Sequence, residues 1–125
     1  MTRWLIDGMN VIGSRPDGWW RDRKKAQRRL VDELGRFADA GGEAVTVVFD
    51  GREHAIDPQP GVEVLFASRS GPDAADHDIA ERVQADPASE QLTVVTSDAD
   101  LAGRVERAGA QTLGAGAFRR RLEPT

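Results

Sequence analysis

Cysteine is absent from this chain of 125 residues, which excludes disulfides, thiolate metal sites and cysteine nucleophiles. Its absence agrees with a reducing cytoplasm, the expected compartment. Long apolar runs are missing too: the start Trp4-Leu5-Ile6 is broken by Asp7, so neither a signal-peptide core nor a membrane span is expected. The only lysines are Lys24 and Lys25, whereas a response-regulator receiver needs one after its last strand. No Gly-Lys-Ser or Gly-Lys-Thr occurs, which excludes a P-loop nucleotidase. Gly114-Ala115-Gly116 lies late in the chain and not after the first strand, a poor match to a dinucleotide fingerprint. Asn10, and not a second aspartate at the Asp-x-Asp spacing, follows Asp7, which argues against an aspartyl-nucleophile phosphatase. Repeats, low-complexity tracts and interdomain linkers are also lacking.

What is present describes an ordinary globular chain. A hydrophobic fraction of 39%, joined by 13 glycines, is enough for one core at this length, and a single domain spanning 1–125 is expected. The formal charge of −4 sets 17 Lys and Arg against 21 Asp and Glu. Taken as a whole-chain number it argues against a nucleic-acid partner.

Four nearly continuous apolar stretches read as strands: Arg3 to Ile6, Ala44 to Phe49, Val62 to Ala67 and Leu92 to Thr96. Gln111 to Leu113 reads as a short fifth. Between them, Ala26, Leu30, Leu34, Phe37 and Ala38 recur at helical spacing, which predicts a helix from Asp22 to Ala40, stopped by Gly41-Gly42. Further helices are expected from Ala74 to Ala85 and from Ala99 to Ala108, with a helical turn at Phe118 to Leu122. Strands alternating with helices predict an α/β fold: a mostly parallel, doubly wound sheet with helices on both faces.

Ligands of such sheets bind beyond the carboxyl ends of the strands. Three of those ends are acidic here: Asp7-Gly8-Met9-Asn10, Asp50-Gly51, and Thr96-Ser97-Asp98-Ala99-Asp100. The third helix opens with Asp73-Ala74-Ala75-Asp76-His77-Asp78 near the same edge. Each group has an ordinary reading, Asp50-Gly51 as a turn and Asp73, Ser97 or Asp98 as helix caps. Together they need another, because carboxylates about 4 Å apart repel by about 4 kcal/mol per pair at an effective dielectric near 20. A cation among them removes that penalty, and oxygen ligands without thiolate suit Mg²⁺ or Mn²⁺. Metal-dependent phosphodiester hydrolysis is the chemistry that fits.

In this order, Asp7-Gly8-Met9-Asn10, Phe49-Asp50, Asp76 and Thr96-Ser97-Asp98 resemble the NYN domains of the PIN-like ribonuclease superfamily, most closely the YacP-like group, from Arg3 to Leu122. The resemblance implies that Asp7, Asp50, Asp76 and Asp98 form a metal-binding acidic pocket with Asn10 as a polar helper, and that Asp100 is a second acid. Asp7, Asn10, Asp76 and Asp98 are the catalytic set it implies. It further implies a Mg²⁺- or Mn²⁺-dependent endoribonuclease leaving 5′-phosphate and 3′-hydroxyl ends. The implied partner is single-stranded RNA, with mRNA and ribosome-associated RNA among the candidates and DNA left open. Met9 departs from the pattern, standing where an aromatic residue is frequent. A short insert from Asp86 to Gln91 and little chain after Leu122 imply that docking features of longer relatives are missing.

From Arg15 to Arg29, seven basic residues face two acidic ones, a local balance of +5 that leaves −9 for the remainder. With Trp19-Trp20 inside it, this segment reads as an RNA groove, since aromatics beside cations stack single-stranded bases. Arg15, Arg21, Arg23 and Lys24, with Arg52 and Arg69 in loops on the same edge, are the candidate RNA contacts. The alternative is a solvated helix face with one tryptophan in the core. His54 and His77 are read as bystanders, and a PIN-like domain that binds RNA or protein without cleaving is the rival function.

Overall fold

The apolar runs pair into one sheet. In the structure, a computed structural model that describes residues 2–68, 71 and 73–123, the strands are β1 (Arg3–Asp7), β2 (Ala44–Phe49), β3 (Val62–Phe66), β4 (Leu92–Val95) and β5 (Gln111–Leu113). Their order is β3-β2-β1-β4-β5, and every neighbouring pair is parallel. The chain winds outward from β1 to β3, then returns to the other side of β1 to lay down β4 and β5. The winding therefore reverses between β1 and β4, which leaves a crevice outside their carboxyl ends.

Helices α1 (Gly8–Gly13), α2 (Arg23–Gly41), α3 (Ala74–Ala85), α4 (Ala99–Arg107) and α5 (Ala115–Leu122) cover both faces. Alternation along each strand divides the core. Trp4, Ile6, Val47, Phe49 and Val95 pack with Val11, Leu30, Leu34 and Phe118, beneath α1, α2 and α5. Leu5, Val48 and Val94 pack with Ile79, Val83, Leu101 and Val105, beneath α3 and α4. Asp7, two residues after Leu5, shares its face and so points toward α3 and α4. Among the described residues no helix is long and apolar enough to cross a membrane.

The long helix starts one residue later than its periodicity implies, because the Asp22 side chain caps it by accepting from the Lys25 amide at 3.1 Å. Two local features differ from the sequence expectations. A helix that the apolar spacing does not mark, α1, begins immediately after Asp7. Gly8 permits this, since a Cβ there would stand 2.5 Å from Cδ1 and Cε1 of Phe49. The tail forms two turns of helix, α5, and not one, its first turn held where the Ala115 amide donates to Ser97 Oγ at 2.9 Å.

Candidate active site

Asp7 ends β1 and is only 2% exposed. Its Oδ2 accepts from Thr96 Oγ1 at 3.1 Å, and the same Thr96 oxygen accepts from the Asp98 amide at 3.1 Å. One hydroxyl thus laces the carboxyl ends of β1 and β4 together across the winding reversal. Asp98 Oδ1 caps α4 by accepting from the Leu101 amide at 3.1 Å. Asn10 Oδ1 accepts from the Ser97 amide at 2.9 Å, tying α1 to the same turn. From β2, Asp50 Oδ1 accepts from the Ala75 amide at 3.0 Å and so fixes the first turn of α3 against the sheet edge. Asp76, one residue further on, stands close enough to Asp7 and Asp98 for their charges to act on it.

The ionisation of these groups records their crowding. Burial raises the Asp7 carboxyl to about 6, the charges of Asp50 and Asp98 push the same way, and the Thr96 hydrogen bond opposes them. Burial, then the charges of Asp7 and Asp98, raise Asp76 to about 7. Burial raises Asp50 as well, offset by the Ala75 amide and by the positive charge of Arg23. Three carboxyls at this edge thus resist ionisation, chiefly through burial and, for Asp7 and Asp76, also through neighbouring negative charge.

The donors are all oxygen, as hard divalent ions prefer. Among the described residues no three Asp, Glu or His side chains close around a single point. That is compatible with Mg²⁺, which commonly takes only one or two carboxylates and completes its octahedron with water and substrate phosphate. Asp7, Asp76 and Asp98, gathered at one edge without closing around a point, fit a water-rich site of that kind and not a closed protein cage.

The structure brings Asp7, Asn10, Asp50, Asp76 and Asp98 to one edge. Asp100 stands exposed in the first turn of α4. Of the three acids opening α3, Asp78 is engaged with the Ser68 amide and hydroxyl at 2.8 and 2.9 Å, and Asp73 occupies the cap position without bonding through its side chain. Arg15 is the clear departure from expectation. Its Nη2 lies 2.8 and 3.0 Å from the two carboxylate oxygens of Glu33, with both side chains about nine-tenths buried, so this guanidinium joins the end of α1 to α2 at the wall of a cavity beside Trp19. Arg21, Arg23, Lys24 and Arg52 are exposed, and Arg69 lies outside the described residues. His54 Nε2 is bonded to Gln27 Oε1 at 2.5 Å, and His77 Nε2 lies 2.8 Å from Glu81 Oε1. Two hydrogen-bonding positions lay outside the sequence expectations. Thr96 was only part of a motif, although a hydroxyl two residues before a capping aspartate was its visible signal. Gln27, 4% exposed, holds both His54 and Met9 Sδ, and nothing in the helical pattern marked it.

A family model described as the YacP-like NYN domain matches residues 4–125. A crystal structure of a mutant of Rae1 (YacP) from Bacillus subtilis is similar, with a TM-score of 0.81 at 26% identity, covering 98% of this chain and 75% of that one. Another crystal structure of Rae1 (YacP) from Bacillus subtilis gives a TM-score of 0.78 at 27% identity, covering 98% of this chain and 74% of that one. No curated protein matches the sequence.

Proposed function

The chain belongs to the YacP-like NYN domain family, whose fold is nuclease-like, and from that premise we propose that it is a metal-dependent endoribonuclease hydrolysing phosphodiester bonds in single-stranded RNA. The observation that carries this reading is Asp7: a carboxylate 2% exposed, at the reversal of the sheet, raised to about 6 with other aspartates beside it. One or two of Asp7, Asp76 and Asp98 would hold Mg²⁺ or Mn²⁺ directly and the rest through water, with Asp50 nearby or acting through water and Asp100 at the rim. A divalent ion held there would supply polarisation of the phosphodiester, activation of a water and stabilisation of the leaving oxygen. The protein's own work is positioning. Thr96 fixes the Asp7 carboxylate and the Asp98 backbone together, the α4 cap fixes the Asp98 side chain, and Asn10 holds the Ser97 turn beside them. Arg21, Arg23, Lys24, Arg52 and Arg69 supply positive charge for the phosphates of the strand. The cysteine-free composition suits a cytoplasmic enzyme.

The test is cleavage of single-stranded and structured RNA with Mn²⁺, Mg²⁺ or EDTA, comparing the wild type with Asp7→Asn and Asp98→Asn. Asn at 7 keeps an acceptor for Thr96, and Asn at 98 remains a good helix cap, so both substitutions remove charge while sparing the fold. Loss of activity on the order of 100-fold or more is expected from each, and complete loss in EDTA. Activity surviving EDTA or either substitution overturns the metal mechanism. Binding without cleavage in every condition gives instead a non-catalytic RNA-binding domain.

A further inference from the structure

Trp20 is 60% exposed, the one large hydrophobic side chain so placed among the described residues. Its presentation is built. Gly18 adopts the left-handed conformation, with φ 73° and ψ 26°, and turns the chain into a single 3-10 turn, Trp19–Arg21. Within that turn Trp19 packs partly into the core beneath α1 and α2. Trp20 meets it edge to face, with centroids 6.1 Å apart and planes at 85°. One indole therefore braces the other, which stays 60% exposed.

The charges around this pair are not neutralised locally. The Arg21 guanidinium lies 6.0 Å from the Trp20 ring centroid and that of Arg23 5.8 Å from the Trp19 ring. Among the described residues Arg21, Arg23, Lys24 and Lys25 form no salt bridge, whereas Arg15 and Arg29 do. A cavity of about 270 Å³ opens beside Trp19, between Arg21 and Lys25. A Cβ built on Gly13 would stand 3.9 Å from Trp19 Cζ2, so the platform packs at the far end of α1, the short helix whose first residue follows Asp7 at the acidic edge. An exposed indole beside cations without salt-bridge partners is complementary to a ligand that is itself flat, apolar on its faces and anionic along its length. An unpaired stretch of nucleic acid has that chemistry; a duplex, with its base faces already stacked, does not.

We propose that Trp20, braced by Trp19 and flanked by Arg21 and Arg23, stacks an unpaired base of the strand that the acidic edge cuts. The proposal rests on the nuclease reading for the identity of the strand, but its test does not. Binding of a short oligouridylate to the full chain is measured in EDTA, by anisotropy and by quenching of tryptophan fluorescence. Trp20→Ala is expected to weaken binding about 5- to 100-fold and to abolish most of the quenching, and Trp20→Phe to restore most of the affinity. Affinity for a blunt duplex should be the same in all three proteins. Because Trp20 is exposed, an unchanged melting temperature checks that the variants fold.

Equal oligouridylate affinity in wild type and Trp20→Ala overturns the platform, as does Trp20-dependent binding of polyglutamate, which would point to an acidic peptide. The two readings fail separately. If wild type cleaves and Trp20→Ala binds undiminished, the platform is wrong and the nuclease stands. If binding depends on Trp20 while cleavage survives Asp7→Asn, the platform stands and the metal mechanism is wrong.

Discussion

At the scale of single residues, Asp7 is placed where its charge is least tolerated. It and Asp76 take up protons with folded-state values of about 6 and about 7, against 3.8 for an ordinary aspartate. Both hold protons more tightly folded than unfolded. The folded state therefore binds the excess between about pH 4 and 7, and stability without metal falls as pH rises through that window. Asp7, almost wholly buried, contributes about 3 kcal/mol to this loss, each tenfold change in proton affinity being worth about 1.4 kcal/mol. Urea unfolding in EDTA should show lower stability at about pH 8 than at about pH 5, and Asp7→Asn should flatten the profile and exceed the wild type at the higher pH. A metal-free profile that instead rises across the window would show that these carboxyls are not raised in the folded state. Next to it, Gly8 has no room to grow: a Cβ would meet the Phe49 ring at 2.5 Å and Val47 Cγ2 at 3.0 Å. Gly8→Ala should cost about 1–3 kcal/mol in thermal or urea unfolding, because ring and strand are both fixed by the core.

Elements meet through a few polar contacts that can be tested in pairs. The Arg15–Glu33 bridge ties the end of α1 to α2 with little exposure of either group. Arg15→Ala, which leaves Glu33 buried and unpaired, should destabilise by about 3 kcal/mol or more, whereas Arg15→Met with Glu33→Leu should recover most of it. Equal unfolding midpoints for the single and double variants would deny the pair this role. At the start of α4, Asp98→Ala should cost about 1 kcal/mol and Asp98→Asn much less, although both lose cleavage. That split separates the cap from the chemistry. These contacts also mark where the sequence was legible. The strands, and α2, α3 and α4, were readable because apolar spacing is a local signal, and Asp7, Asp50 and Asp98 because each follows a strand. The short helix α1 was not, since its six residues hold too few turns to show a period and its start depends on Gly8 meeting Phe49 from another strand. Arg15 looked available because Glu33 lies 18 residues away. Among Asp73, Asp76 and Asp78, spacing alone could not choose. Only the fold gives Asp78 to Ser68 and sets Asp76 against Asp98.

Across the whole molecule the charge of −4 is an average of unlike regions, the Arg15–Arg29 segment at +5 and the remainder at −9. The basic arm packs at the far end of α1, whose first residue follows Asp7 at the acidic edge, so a strand on the arm approaches carboxylates that repel it. Affinity in EDTA should therefore depend on both terms. If Arg21, Arg23, Lys24 and Lys25 each neutralise one phosphate, log affinity for oligouridylate should fall against log salt with a slope of about −3, and Lys24→Ala should reduce that slope by about 0.7. The sign of the Mg²⁺ effect at constant ionic strength is more telling. Mg²⁺ competes for RNA phosphates wherever it acts only as a counterion, and so lowers affinity. It raises affinity where it first cancels the repulsion of an acidic site. The wild type should bind more tightly when Mg²⁺ replaces EDTA. Asp76→Asn with Asp98→Asn should already bind more tightly than the wild type in EDTA, and should lose affinity when Mg²⁺ is added. A wild type that behaves like the double variant would mean that the acidic edge neither holds the ion nor faces the strand.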